Sequence, residues 1–135
     1  MSPQEKLDLA QRSYAAFSAG PDVEAILPLY DHACEWRMGY IEAAFGSLHG
    51  HEGLREFADQ LANGFAHFRC EIAEARITDD GRLLIRGNNY AESAVTGMEL
   101  DMLLWQEITF RDGRILRVIQ TEGPPTDWDA AKKIT

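Results

Sequence analysis

From Met98 to Phe110 the chain alternates like a strand with two unlike faces, and this segment limits the fold more than any other. Met98, Leu100, Met102, Leu104, Gln106, Ile108 and Phe110 fall on one side, because successive strand side chains point to opposite faces. That side is apolar enough to be core. The other side begins acidic, with Glu99 and Asp101, and continues through Leu103, Trp105, Glu107 and Thr109. Leu103 and Trp105 are too apolar for an ordinary wet face. They predict a homodimer contact.

What precedes this strand is helical. Ser2-Pro3-Gln4-Glu5 supplies a Ser cap, Pro at the first helical position and Glu at the capping-box position. Leu7, Ala10, Tyr14 and Phe17 then follow at helical spacing, and Gly20-Pro21 stops the helix. Asp22 caps a short second helix carrying Val23, Ile26, Leu27 and Tyr30, distorted by Pro28. Cys34 to Met38 reads as a short strand and Gly39 to Gly50 as a loop. Leu54, Phe57, Ala58 and Leu61 mark a third helix between Gly50 and Gly64.

Strand patterns take over from Phe68, with Cys70 at the start of one, and Asp80-Gly81 and Asp112-Gly113 mark hairpin reversals. Three helices followed by long antiparallel strands predict an α+β fold, with the helices on one face of a curved sheet. Residues 1–123 form the expected single domain. Residues 124–135 read as a tail pinned by Trp128.

The 135 residues are 45% apolar and carry a formal charge of −9. A core is therefore affordable, whereas nucleic acid and anionic membrane surfaces are disfavoured as partners. Cys34 and Cys70 make no disulfide framework, and the N-terminus lacks the pattern of a secretory leader. A cytoplasmic protein is the expectation.

In order and spacing, certain segments resemble the SnoaL-like group of the NTF2-like (cystatin-like) superfamily, related to ketosteroid isomerase and limonene-epoxide hydrolase. They are Tyr14-Ala15-Ala16-Phe17-Ser18-Ala19-Gly20, Ile26-Leu27-Pro28-Leu29-Tyr30, Glu35-Trp36-Arg37-Met38, Gly50-His51-Glu52-Gly53-Leu54-Arg55-Glu56-Phe57 and Phe110-Arg111-Asp112-Gly113-Arg114-Ile115. The resemblance spans roughly residues 5–122 and implies a cone with a small-molecule pocket. Ser13, Gln106 and Met38 stand where ketosteroid isomerase has its Tyr, protonated Asp and basic Asp, a pKa-tuning case. Without the base, that isomerisation is rejected. At the hydrolase positions stand Arg86 and Asn88, then Gln120, then Trp36 and Met38. The aspartate of SnoaL-type cyclases also falls on Gln120. Amides orient water or a carbonyl but take no proton near neutral pH.

If even-numbered residues face inward, Arg86, Asn88 and Tyr90 share the pocket with Gln106 and Gln120. Arg86 is then a clamp for an anion or enolate, or else a partner of Glu92 or Glu122, or else in solvent. Glu122 is either a general base with a raised pKa or a solvated strand-end carboxylate. Trp36, Met38, Met102 and Leu104 are wall residues, for packing or for substrate. His49 and His51 could meet a metal if extended, but His51 sits at a helix entry and no third ligand is fixed, so no metal is expected. No phosphate loop, dinucleotide glycine pattern or nucleophile elbow occurs, and no cofactor is expected.

Three functions remain open: a cofactor-independent isomerase, cyclase or hydrolase acting through Arg86, Asn88, Gln120 and Glu122; a non-catalytic binder of a small hydrophobic molecule; and an association module working through Leu103 and Trp105.

Overall fold

Helix α1 (Pro3–Ser18) begins with the capping box that the sequence predicts. The Glu5 amide donates to Ser2 Oγ at 3.1 Å, and the Ser2 amide donates to Glu5 Oε1 at 2.9 Å. A computed structural model describes residues 1–38 and 47–134. After α1 come α2 (Val23–Ile26), capped by Asp22, and one 3-10 turn (Leu27–Leu29) where Pro28 interrupts the α pattern. Strand β1 (Tyr30–Arg37) starts four residues before the expected Cys34. The loop expected from Gly39 lies largely outside the described residues, and its end is a short strand instead, β2 (Leu48–His49). Helix α3 (Gly50–Gly64) keeps the predicted bounds.

Four longer strands follow: β3 (Phe65–Ile77), β4 (Leu83–Ser93), β5 (Glu99–Arg111) and β6 (Arg114–Thr121). β3 begins earlier than Phe68, so Cys70 lies within it rather than at its start. Positive φ at Gly81, Asp112 and Gly113 provides the tight reversals that the two Asp-Gly steps predict. A final pair, β7 (Lys132–Lys133), joins the edge of β3. The seven strands run in the order β2-β1-β6-β5-β4-β3-β7, antiparallel except where β1 lies parallel to β6.

Cross-strand registers decide which side chains share a face. On the helix side lie the rows Cys70–Asn89–Met102, Ile72–Gly87–Leu104 and Ala75–Ile85–Gln106–Gln120. The next row is Ile77–Leu83–Ile108–Val118–Trp36. Leu83, Ile85, Ile108, Ile115 and Val118 are fully buried there, and α1 and α3 cover them with Leu7, Ala10, Phe17, Leu54 and Leu61. Each such side chain contributes about 1.5–3 kcal/mol by leaving water.

The outer side carries Glu74–Arg86–Trp105–Thr121, Glu71–Asn88–Leu103 and Arg69–Tyr90–Asp101. The predicted inward facing of even-numbered residues is thus correct for β5 and inverted for β4.

The segment after Gly123 returns across this outer side. Trp128 packs edge-on to Trp105 at 5.1 Å and covers Leu84, while the Ile134 amide donates to the Ala75 carbonyl at 2.9 Å. Arg82 reaches Asp80, Glu107 and Asp127 and ties the segment to β5. Trp105, expected to be free for a dimer contact, is therefore covered from within the chain, and Leu103 stays 55% exposed. No described helix is long and apolar enough to cross a membrane.

Candidate functional site

Between α1, α3 and the inner sheet face lies a chamber lined by Ser13, Tyr14, Tyr30, Trp36, Gln106 and Gln120, with Phe57, Phe68, Cys70, Asn89 and Leu104 completing its walls. Helical spacing brings Ala10, Ser13, Tyr14 and Phe17 of α1 over the sheet. Strand pairing sets Gln106 directly beside Gln120. The interior offers about 40 Å³ to solvent, room for only a few water-sized groups.

Two hydrogen bonds organise the polar part. The Tyr14 hydroxyl donates to Gln106 Oε1 at 2.6 Å, and Ser13 Oγ lies 2.8 Å from the Tyr30 hydroxyl. With its oxygen engaged, the Gln106 amide keeps both N–H groups for other partners. In the Ser13–Tyr30 pair one hydroxyl donates, so one hydroxyl proton is left over whichever way the bond runs. The Trp36 indole N–H is sealed from solvent and meets no acceptor in hydrogen-bond geometry among the described residues. It sits close enough to the Tyr30 oxygen to lower that phenol's pKa somewhat, but outside bonding geometry. The chamber is rich in donors.

Burial pushes both phenols well above the ordinary range, with Cys70 and Tyr30 adding to the rise at Tyr14. Burial likewise lifts the Cys70 thiol to about 11, against the pull of its Ser18 hydrogen bond. All three groups stay neutral near pH 7. The burial of the neutral forms stabilises the fold fully below the unfolded-state values, 9.0 for the thiol and 10.0 for the phenols, and this contribution is lost as pH rises past them. Urea midpoints should therefore fall steadily from pH 9 to 11. Phenolate absorbance from Tyr14 and Tyr30 should appear only as the chain unfolds; their ionisation in the folded chain would contradict the buried pair.

The expected catalytic set is split by the fold. Gln120 lines the chamber, but Arg86 and Asn88 lie on the outer face, where Arg86 pairs across strands with Glu74 and Trp105 and Asn88 donates to Asp101 at 3.2 Å. Glu122 is exposed, beyond the end of β6. Of the expected substrate-binding residues, Trp36, Leu104 and Gln106 line the chamber. Met38 is buried in the core, and Met102 is on the inner face further out and 39% exposed. Tyr90 is on the outer face under the Arg69 guanidinium, 4.6 Å from its ring centre. His51 bonds the Tyr30 carbonyl through Nε2 at 2.9 Å and stacks on His32, while His49 stands on the opposite side of the sheet from Trp36.

The sequence pattern places Tyr14 only on the apolar face of the first helix and gives no site role to Tyr30, Cys70 or Asn89. The signal for Asn89 was present: a polar residue of inward parity, once Leu83 and Ile85 are recognised as the core-facing pair of β4.

Helices laid on a curved, mostly antiparallel sheet around such a chamber define an NTF2-like, cystatin-type cone. The sequence pattern of the SnoaL-like domain matches residues 10–118, and the chain belongs to that family. Among solved structures, it resembles TerC co-crystallised with polyporic acid, at 24% identity over 88% of this chain and 90% of that one, with a TM-score of 0.73. An NTF2-like protein of unknown function from Burkholderia pseudomallei is 19% identical over 89% and 90%, with a TM-score of 0.74. A protein of ketosteroid isomerase-like fold from Catenulispora acidiphila, in complex with trimethylamine, is 12% identical over 84% and 83%, with a TM-score of 0.72. These likenesses concern the fold. No curated protein matches the chain.

Proposed function

We propose that the inner chamber binds the carbonyl oxygen of a neutral, largely apolar small molecule, and that the chain is a binding domain rather than a proton-transfer catalyst. The observation that carries this reading is the buried Trp36 N–H, which meets no acceptor among the described residues, in a chamber that Gln106 and the Ser13–Tyr30 pair also line. Leaving a buried donor unpaired costs about 1–3 kcal/mol, which an incoming oxygen recovers. A carbonyl accepts several such bonds and brings no proton of its own. A carboxylate fits worse, because the described lining holds no cation and burying an unpaired charge is costly.

The chamber's ionisable groups are phenols and a thiol held neutral, which favours retention of a ligand over proton abstraction. The SnoaL-like family and its polyketide cyclase-like neighbours leave catalysis as the second reading.

Butanone should raise the melting temperature in proportion to the logarithm of its concentration, and butanoate should not. Trp36→Phe keeps an aromatic ring but removes the pyrrole half of the indole with its N–H, so butanone affinity should drop about three- to tenfold, the value of one hydrogen bond. Equal affinity in wild type and variant would refute the chamber reading. Recovery of a chemically altered ketone would replace binding with catalysis.

A further inference from the structure

The chamber is too small for any molecule larger than its own polar end. Whatever places an oxygen against Trp36 and Gln106 must keep the rest of its body elsewhere. Phe68 shows where. Its side chain lines the chamber and also an open groove beyond the end of α1, which continues along Ala91 and Leu100. Phe68, Ala91 and Leu100 are register partners on the inner face, one row further out than Cys70–Asn89–Met102. Helix α1 stops at Ser18, where Ser18 Oγ accepts from the Cys70 amide at 3.0 Å and donates to the Tyr14 carbonyl at 2.8 Å. No described helix covers the inner face beyond that point. Leu100 is consequently 40% exposed and Met102 39% exposed, although both have the parity of core residues.

We infer that this strip of Phe68, Ala91, Leu100 and Met102 is a tail site, and that the ligand class is an elongated, neutral carbonyl compound with an unbranched apolar chain. The inference rests on the chamber reading and adds the tail. Its support is continuity: one aromatic ring borders both spaces, and the row between them, Cys70–Asn89–Met102, carries one amide among otherwise apolar neighbours. Glu92, Glu99 and Asp101, with His67 and Arg69, also border the groove, but from the outer side of the sheet, with Asp101 and Arg69 in the row that falls between Leu100 and Met102. An anionic tail end is disfavoured by those three carboxylates.

Methyl ketones from butanone to decanone, with the matching fatty acids, provide the test on the full chain. Wild-type affinity should rise with each methylene by up to about fourfold, the limit for complete burial, until the strip is spanned. Leu100→Ser combined with Met102→Ser replaces two surface-accessible side chains, and its melting temperature reports retention of the fold. In that variant every ketone should bind with about the affinity of butanone.

If butanone binds wild type and chain length has no effect, the tail site is refuted and the chamber reading stands. If no ketone binds, both fall. A length dependence that survives in the double variant also refutes the strip. So does a double variant whose only change is a shift in self-association by light scattering, because the strip would then cover a second copy of the chain. Fatty acids binding more tightly than the ketones would overturn the neutral ligand class.

Discussion

Gly87→Ala should destabilise the fold by about 3 kcal/mol or more and lower the melting temperature by roughly 10 °C. Gly87 pairs with Ile72 just before the register shift between Ile72 and Glu74, where β3 carries an irregularity against β4. A Cβ built on Gly87 would lie inside the contact radius of the Glu71 carbonyl oxygen, and that oxygen belongs to backbone. Flexible side chains can swing away; a strand in the middle of a ladder cannot. The φ of Gly87 is not in the left-handed region, so the penalty is steric rather than conformational. Urea unfolding of the two proteins measures it. A loss under 1 kcal/mol would mean that β3 and β4 separate freely at the bulge.

The second large effect concerns Trp128. Trp128→Ala should cost about 3–5 kcal/mol, the usual range for removing a buried aromatic. The ring is 8% exposed, packs on Trp105 and Leu84, and lies beneath the Arg76 guanidinium at 4.2 Å. Arg76 also donates to the Trp128 carbonyl at 2.7 Å, so the charge and the ring are held together. Loss of the ring would uncover Leu84 and Trp105 at once. Trp105 emission should then shift to the red, with Trp36 unaffected because it lies across the sheet. Trp128→Phe should recover more than half of the stability. If both variants unfold at the wild-type urea concentration, the segment after Gly123 contributes nothing to the fold.

Trp128 also explains which part of the site was legible in the sequence. Local signals were reliable: the Ser2–Glu5 capping box, the Asp22 cap and the Asp112-Gly113 reversal all depend on a few adjacent residues. The facing of β5 was legible too, because its outer side opens with Glu99 and Asp101. β4 gave no such help. Leu83, Leu84 and Ile85 are each fully buried, two against the helices and one beneath Trp128, so its start reads as apolar on both sides. Parity cannot be assigned from such a run. The side on which Arg86 falls is decided by a contact more than forty residues away in sequence. The chamber polar groups were hidden for a similar reason, since Tyr14, Tyr30 and Gln106 come from three separate elements and line one chamber only where α1 lies over the sheet.

The outer edge of the sheet has a consequence for behaviour at high concentration. β7 closes only the Arg76–Ile77 end of β3, which leaves the longer stretch from Phe65 to Glu74 without a neighbouring strand on that side among the described residues. Bare ladder groups invite another molecule to add itself, and soluble proteins deter this by placing charge along the border. Arg69, Glu71 and Glu74 supply that charge in both signs, with Arg69 3.0 Å from Glu71. Neutralising Arg69 and Glu71, both exposed, would weaken that guard against edge-to-edge addition.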